Sequence, residues 1–174
     1  MEDSSGVFVL YKQYPSGGQI WLMLGLDDSG SDYNDIMAIA ECLAESGREV
    51  KVLHAVHYKD PLYKEVFGEL IGTRYYRKCP DLLVDGELFE YESYVRPWTK
   101  RKLSNMLTNG LRQSGRIIID NRDGTTIRQI TRAVQSRLNV NATITEVWDF
   151  NRGCVVCLYK NTGVPEGPLQ GGAP

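Results

Sequence analysis

The chain has 174 residues, 42% of them hydrophobic and 24% charged, with a formal net charge of −2. That length buries a real core, and no apolar run approaches the roughly 18 residues of a membrane-spanning helix. The start, MEDSSG, is acidic rather than signal-like, so a cytoplasmic site of action is expected.

In chain order, Gly6–Leu26 holds two apolar runs, VFVLY and IWLML, split by PSGG, which predicts a hairpin. Asp32 is a candidate N-cap for a helix with Ile36, Ile39, Ala40 and Leu43 on one face. Gly47 is suited to the residue just past its end. Glu49–Leu53 reads as a short strand, and Pro61–Ile71 as a second helix closed by Gly72. Asp81–Val95 reads as a hairpin, because Asp85-Gly86 supplies the two φ > 0 positions of a type I′ turn. Thr99 can cap a helix whose apolar stripe is Leu103, Met106, Leu107 and Leu111.

Farther on, RIIID at 116–120 suits a buried strand, and Asp123-Gly124-Thr125 opens a helix carrying Ile127, Ile130, Val134 and Leu138. Thr143–Phe150 and Cys154–Tyr159 form a last hairpin across Asn151-Arg152-Gly153. The Gly/Pro-rich stretch 161–174 is expected to be disordered. The whole reads as a mixed α/β (α+β) fold, a small central mixed sheet with helices packed on it. Residues 1–75 read as an α/β extension, and 76–160 as the functional domain. The four cysteines, at 42, 79, 154 and 157, read as reduced core thiols. Positions 154 and 157 of one strand point to opposite faces and cannot share a zinc ion.

Charge is distributed unevenly. Residues 96–137 carry ten Lys/Arg against Asp120 and Asp123, a local +8 set against −10 elsewhere. A basic half of an acidic chain points either to an anionic partner or to solvated helix faces balanced by acidic neighbours. His54 and His57 are the only histidines and read as surface or packing residues. Arg128 and Arg132, one helical turn apart, read as a solvated face that can also track phosphates.

The sharpest pattern is CPDLLVDGELFEYESY at 79–94. Counting outward from the turn pairs Val84 with Glu87, Leu83 with Leu88, Leu82 with Phe89 and Asp81 with Glu90. Strand alternation adds Glu92 to the face of Asp81 and Glu90. Three carboxylates on one face call for a metal, a shared proton or basic partners. Pro80-Asp81 followed by Glu90-x-Glu92 has the shape of the PD-(D/E)xK signature of metal-dependent nucleases, with Glu92 where that signature has Lys. Lys100 or Lys102 can supply a charge from the next helix.

Extended through KLSNMLTNGLRQSGRIIIDN, the run resembles the C-terminal tRNase domain of CdiA-type contact-dependent inhibition toxins. These belong to the barnase–EndoU–colicin–RelE-like nuclease group. Pro80, Asp81, Gly86, Glu90, Ser93, Gln113, Ser114 and Asp120 match that family's pattern, and Glu92 replaces its Lys. The resemblance covers roughly residues 79–160. It implies an endoribonuclease acting on RNA, with tRNA the leading substrate, by metal-independent attack of a ribose 2′-OH on its own phosphate. No cofactor and no metal are implied; an immunity protein is an implied partner, and delivery into a target cell an implied route.

On this reading Asp81, Glu90, Glu92, Ser93 and Gln113 form the catalytic set. Arg96, Trp98, Lys100, Arg101 and Lys102 contact nucleic acid, with Tyr94 and Trp98 stacking on bases. The alternatives are a non-catalytic binding protein on a degenerate nuclease fold and a metal-dependent PD-(D/E)xK-like DNase. Asp81 and Glu90 can also simply hold the hairpin to the helix through Arg96 or Lys100.

Overall fold

The structure is a computed structural model that describes residues 2–93, 99–122, 126–138, 144–151 and 153–161. Its centre is an eight-stranded mixed sheet in which every strand lies beside its neighbours in sequence. The strands are β1 (Phe8–Gln13), β2 (Gln19–Met23), β3 (Glu49–Val52), β4 (Leu82–Val84), β5 (Glu87–Glu92), β6 (Arg116–Asp120), β7 (Glu146–Asn151) and β8 (Cys154–Lys160). Where α1, α3 or α4 intervenes the strands pair in parallel, β2/β3, β5/β6 and β6/β7; β1/β2, β4/β5 and β7/β8 are hairpins, and β3/β4, joined through the α2 segment, are antiparallel. The division expected near residue 75 falls inside this sheet, since Val50, Lys51 and Val52 pair with Val84, Leu83 and Leu82.

Among the described residues four helices cover the two faces: α1 (Tyr33–Glu45), α2 (Pro61–Phe67), α3 (Lys100–Gly110) and α4 (Ile127–Leu138). The front face carries Ile20, Val50, Val52, Leu82, Phe89, Tyr91, Ile118, Trp148 and Phe150, and α1 lays Ile39, Ala40 and Leu43 across it. On the back, the α2 segment packs Tyr63 and Phe67 against Met23, Leu53 and Leu88. Beside it, α3 and α4 pack Leu103, Met106, Leu107, Ile130 and Val134 on Ile117, Ile119 and Val147. The α3 stripe is the predicted one, and each fully buried aliphatic side chain gives about 1.5–3 kcal/mol of transfer free energy. β5 therefore lies on the seam between two back-face clusters.

Thr99 and Gly47 act as read, and Asp60 adds a cap that the sequence reading did not name. The Asp60 side chain accepts from Leu62 N at the start of α2, and Thr99 accepts from Lys102 N at the start of α3. Gly47, at φ +94°, follows α1. Asp32 stands at the α1 N-cap position, but its side chain makes no capping bond. The second helix is shorter than expected, giving way at Gly68 to a single 3₁₀ turn through Leu70. Residues 123–125, expected to open α4, and the stretch 162–174 lie outside the described residues.

The cysteine expectation needs correction. Cys154 and Cys157 are exposed, because β8 is an edge strand, and Cys42 and Cys79 are half-buried. The histidines are surface or packing residues, as read: the half-buried His54 has its ring nitrogens 3.0 Å from Leu24 O and 3.1 Å from Ala55 O, and the exposed His57 accepts from Lys59 N at Nδ1.

Candidate active site

The site begins with a turn. Asp85 and Gly86 hold φ of +49° and +85°, the double positive pair that a type I′ turn requires. Asp85 also ties the turn to the start of β3. Its carboxylate accepts from Glu49 N at 3.0 Å and pairs with Arg48 at 2.7 Å. The resulting register is the counted one, Val84 with Glu87, Leu83 with Leu88 and Leu82 with Phe89. Alternation then sends Glu90 and Glu92 to the back-face side of Leu88, and Asp81 to the side of Leu83.

The charge of Asp81 acts on both glutamates, and that of Asp32 on Asp81. Burial, then the charges of Asp81 and Glu92, push Glu90 up to about 9, while Lys78 pulls it down. Burial and Asp81 raise Glu92 to about 7. Asp81 rises to about 6, mainly through burial, although it accepts a 2.9 Å hydrogen bond from Tyr91 N. Glu90 is the deepest, 9% exposed, and its Oε2 has no hydrogen-bond partner. Among the described residues no three His, Cys, Asp or Glu side chains stand in an arrangement that holds a metal ion.

Glu92 is placed by a glycine. A Cβ on Gly110 of α3 would come within 2.8 Å of Glu92 Cγ and 3.1 Å of Ile117 Cδ1, so the helix reaches the sheet here only because position 110 has no side chain. The turn after α3 returns to β5 as well, where Ser114 Oγ donates to Leu88 O at 3.3 Å. Gln113 sits between these two contacts with its amide oxygen buried and unpartnered.

The opposite face of β5 carries a different cluster. The Tyr91 hydroxyl donates to Asp120 Oδ2 at 3.2 Å and lies 3.5 Å from Asp35 Oδ2. Arg122 grips Asp120 through Nε and Nη2, at 2.9 and 2.6 Å, and also pairs with Asp35, which ties the first turn of α1 to the end of β6. Ser93 belongs to this side, since a hydrogen bond with it lowers the Tyr91 phenol against the raising effect of burial.

The predicted set is thus only partly assembled. Asp81, Glu90 and Glu92 share one environment and Gln113 lies on the adjoining turn, whereas Ser93 faces the other way. Lys100, Arg101 and Lys102 occupy the first turn of α3, and Lys100 is about 15 Å along the axis from Gly110, at 1.5 Å per residue. Arg96, Trp98 and Tyr94 fall outside the described residues. Sequence reasoning overlooked Lys78, whose field acts on Glu90, and Tyr91 with its Asp35–Asp120–Arg122 frame. Lys78 stands two residues before Pro80 in the same motif, which was the available signal.

Comparison with known proteins bears on the same segment. Residues 78–150 match the family described as the contact-dependent growth inhibition CdiA C-terminal domain, which supports a CdiA-type C-terminal domain over that span. The match takes in the carboxylate hairpin, α3, β6, α4 and most of β7. No curated protein and no solved structure matches the chain.

Proposed function

We propose that this contact-dependent inhibition toxin domain is an endoribonuclease, with tRNA as its leading substrate and Asp81 and Glu92 as its proton-transfer pair. The observation that supports this most is the spread of carboxyl equilibria on one face, about 6 for Asp81, 7 for Glu92 and 9 for Glu90. Environments that separate the pKa values of adjacent acids create a base and an acid from the same chemical group. Near neutrality Asp81 is mostly ionised and Glu92 is half protonated, which is the condition general acid–base catalysis favours.

In the reaction, Asp81 accepts the proton of a ribose 2′-OH as its oxygen attacks the adjacent phosphorus. Glu92 gives a proton to the departing 5′-oxygen. The products are a 2′,3′-cyclic phosphate and a 5′-hydroxyl. Glu90, protonated beneath the pair, keeps a third negative charge out of the site, and Lys78 offers positive charge to the phosphorane. An immunity protein is the expected partner of such a toxin domain, and no described helix is long and apolar enough to cross a membrane.

The test is incubation of the full chain with total tRNA, with and without EDTA, followed by analysis of the new ends. Cleavage that survives EDTA and leaves cyclic phosphates supports the reading. Cleavage lost in EDTA and restored by magnesium assigns the carboxylates to a metal-dependent nuclease instead. Intact tRNA in both arms overturns the enzyme.

A further inference from the structure

A second surface, away from the carboxylates, has the chemistry of a nucleic-acid track. A groove of about 340 Å³ runs between α3 and α4, with Lys100, Arg132 and Arg137 on its rim and Leu103 and Ala133 on its floor. A smaller hollow of about 160 Å³ adjoins it, bounded by Arg74, Thr108, Leu111 and Arg112. Arg137 lines both, so the two hollows meet at its side chain. Among the described residues no Asp or Glu lines either hollow.

Among the described residues no carboxylate pairs with Lys100, Arg112, Arg132 or Arg137. Arg137 is held by the carbonyl and hydroxyl of Ser104, acceptors that fix the guanidinium without cancelling it. Lys100 to Gly110 spans about 15 Å of helix, with Arg112 just past its end, roughly four nucleotides of a stacked strand at about 3.4 Å each. Guanidinium forks bind phosphate oxygens in pairs, and an apolar floor accepts sugar edges.

We infer that the α3–α4 groove and the Arg112 hollow bind the phosphodiester backbone of an RNA strand, holding substrate outside the linkage that is cleaved. This rests on RNA being the substrate and not on the carboxylate chemistry. It also gives the basic first turn of α3 a task suited to its distance from Glu92, since phosphate contacts position a strand without reading its sequence.

The experiment uses the full chain carrying Asp81→Asn, so that RNA survives, and measures binding of end-labelled total tRNA across a salt series. Adding Arg112→Glu and Arg132→Glu is expected to weaken binding at least about tenfold and to flatten the salt dependence by about 1.5 in log–log slope, from two lost phosphate contacts. The urea midpoint should stay put, and Lys12→Glu on β1 should bind as the parent does. Unchanged affinity and slope in the double reversal overturns the track. So does a poly-glutamate chain that displaces tRNA at equal charge concentration, which would make this a surface for an acidic protein. The two readings separate cleanly: binding through the track by a wild-type chain that leaves tRNA intact refutes only the nuclease, and cleavage undiminished by the double reversal refutes only the track.

Discussion

Replacing Glu90 by Gln tests whether the carboxylate cluster is an electrostatic unit. In the folded chain Glu90 holds its proton to about pH 9, whereas in the unfolded chain it releases it near the ordinary 4.5. Its folded pKa is raised, so the folded state binds more protons between those values and stability falls as pH rises through the window. Each pH unit costs about 1.4 kcal/mol per proton. Between pH 7 and 8.5, above the range of Asp81, across only the upper half of the Glu92 titration and below most cysteine ionisation, this one group should remove about 2 kcal/mol. For a chain of this size that is a fall in Tm of roughly 4–8 °C.

Glu90→Gln fixes the neutral form in both states, so its stability should be nearly flat over the same window and should exceed that of wild type at pH 8.5. Urea denaturation at intervals from pH 6 to 8.5 reads both curves. Parallel slopes for wild type and variant, or a wild type that gains stability toward pH 8.5, would refute the placement of Glu90 among buried acids.

Other outcomes follow from the same geometry. Asp81→Asn retains an oxygen to accept the Tyr91 N–H bond and should lower tRNA cleavage by about 10²-fold or more with an unchanged urea midpoint; wild-type cleavage would remove Asp81 from the site. The pH–rate profile should be a bell with its optimum between the apparent values of about 6 and 7 for Asp81 and Glu92, and a rate still rising at pH 8 contradicts the assignment of acid and base. Gly110→Ala, normally worth up to about 1 kcal/mol of helix stabilisation, should instead reduce cleavage roughly tenfold because the new methyl displaces Glu92; activity equal to wild type would show that Glu92 is not positioned by that contact. Arg122→Ala leaves the nearly buried Asp120 carboxylate without its cation and should cost about 2–3 kcal/mol in urea; an unchanged midpoint would show that this clamp contributes nothing.

Much of the layout was legible in local chemistry. Asp85-Gly86 dictated a turn type, the turn dictated a register, and the register placed Asp81, Glu90 and Glu92 on one face before any tertiary contact was considered. Thr99 and the Leu103–Met106–Leu107 stripe marked α3 in the same way, because capping and helical periodicity are short-range. The family resemblance read from residues 79–160 agrees with the match found at 78–150. The exposure of Cys154 and Cys157 was not legible, since an apolar strand looks the same in sequence at the centre of a sheet and at its edge.

What the sequence determined by itself was therefore the chemistry of the hairpin: three carboxylates, their spacing and their common face. Tertiary structure decided what they become. Two helical layers meet along β5, and Gly110 lets α3 settle directly on Glu92, so the acids are drawn out of water and their protons are held toward neutral pH. The same packing set the basic first turn of α3 beside α4 rather than over the carboxylates, because a helix that begins beyond the strand end carries its N-terminus about 15 Å from the point where it touches the sheet.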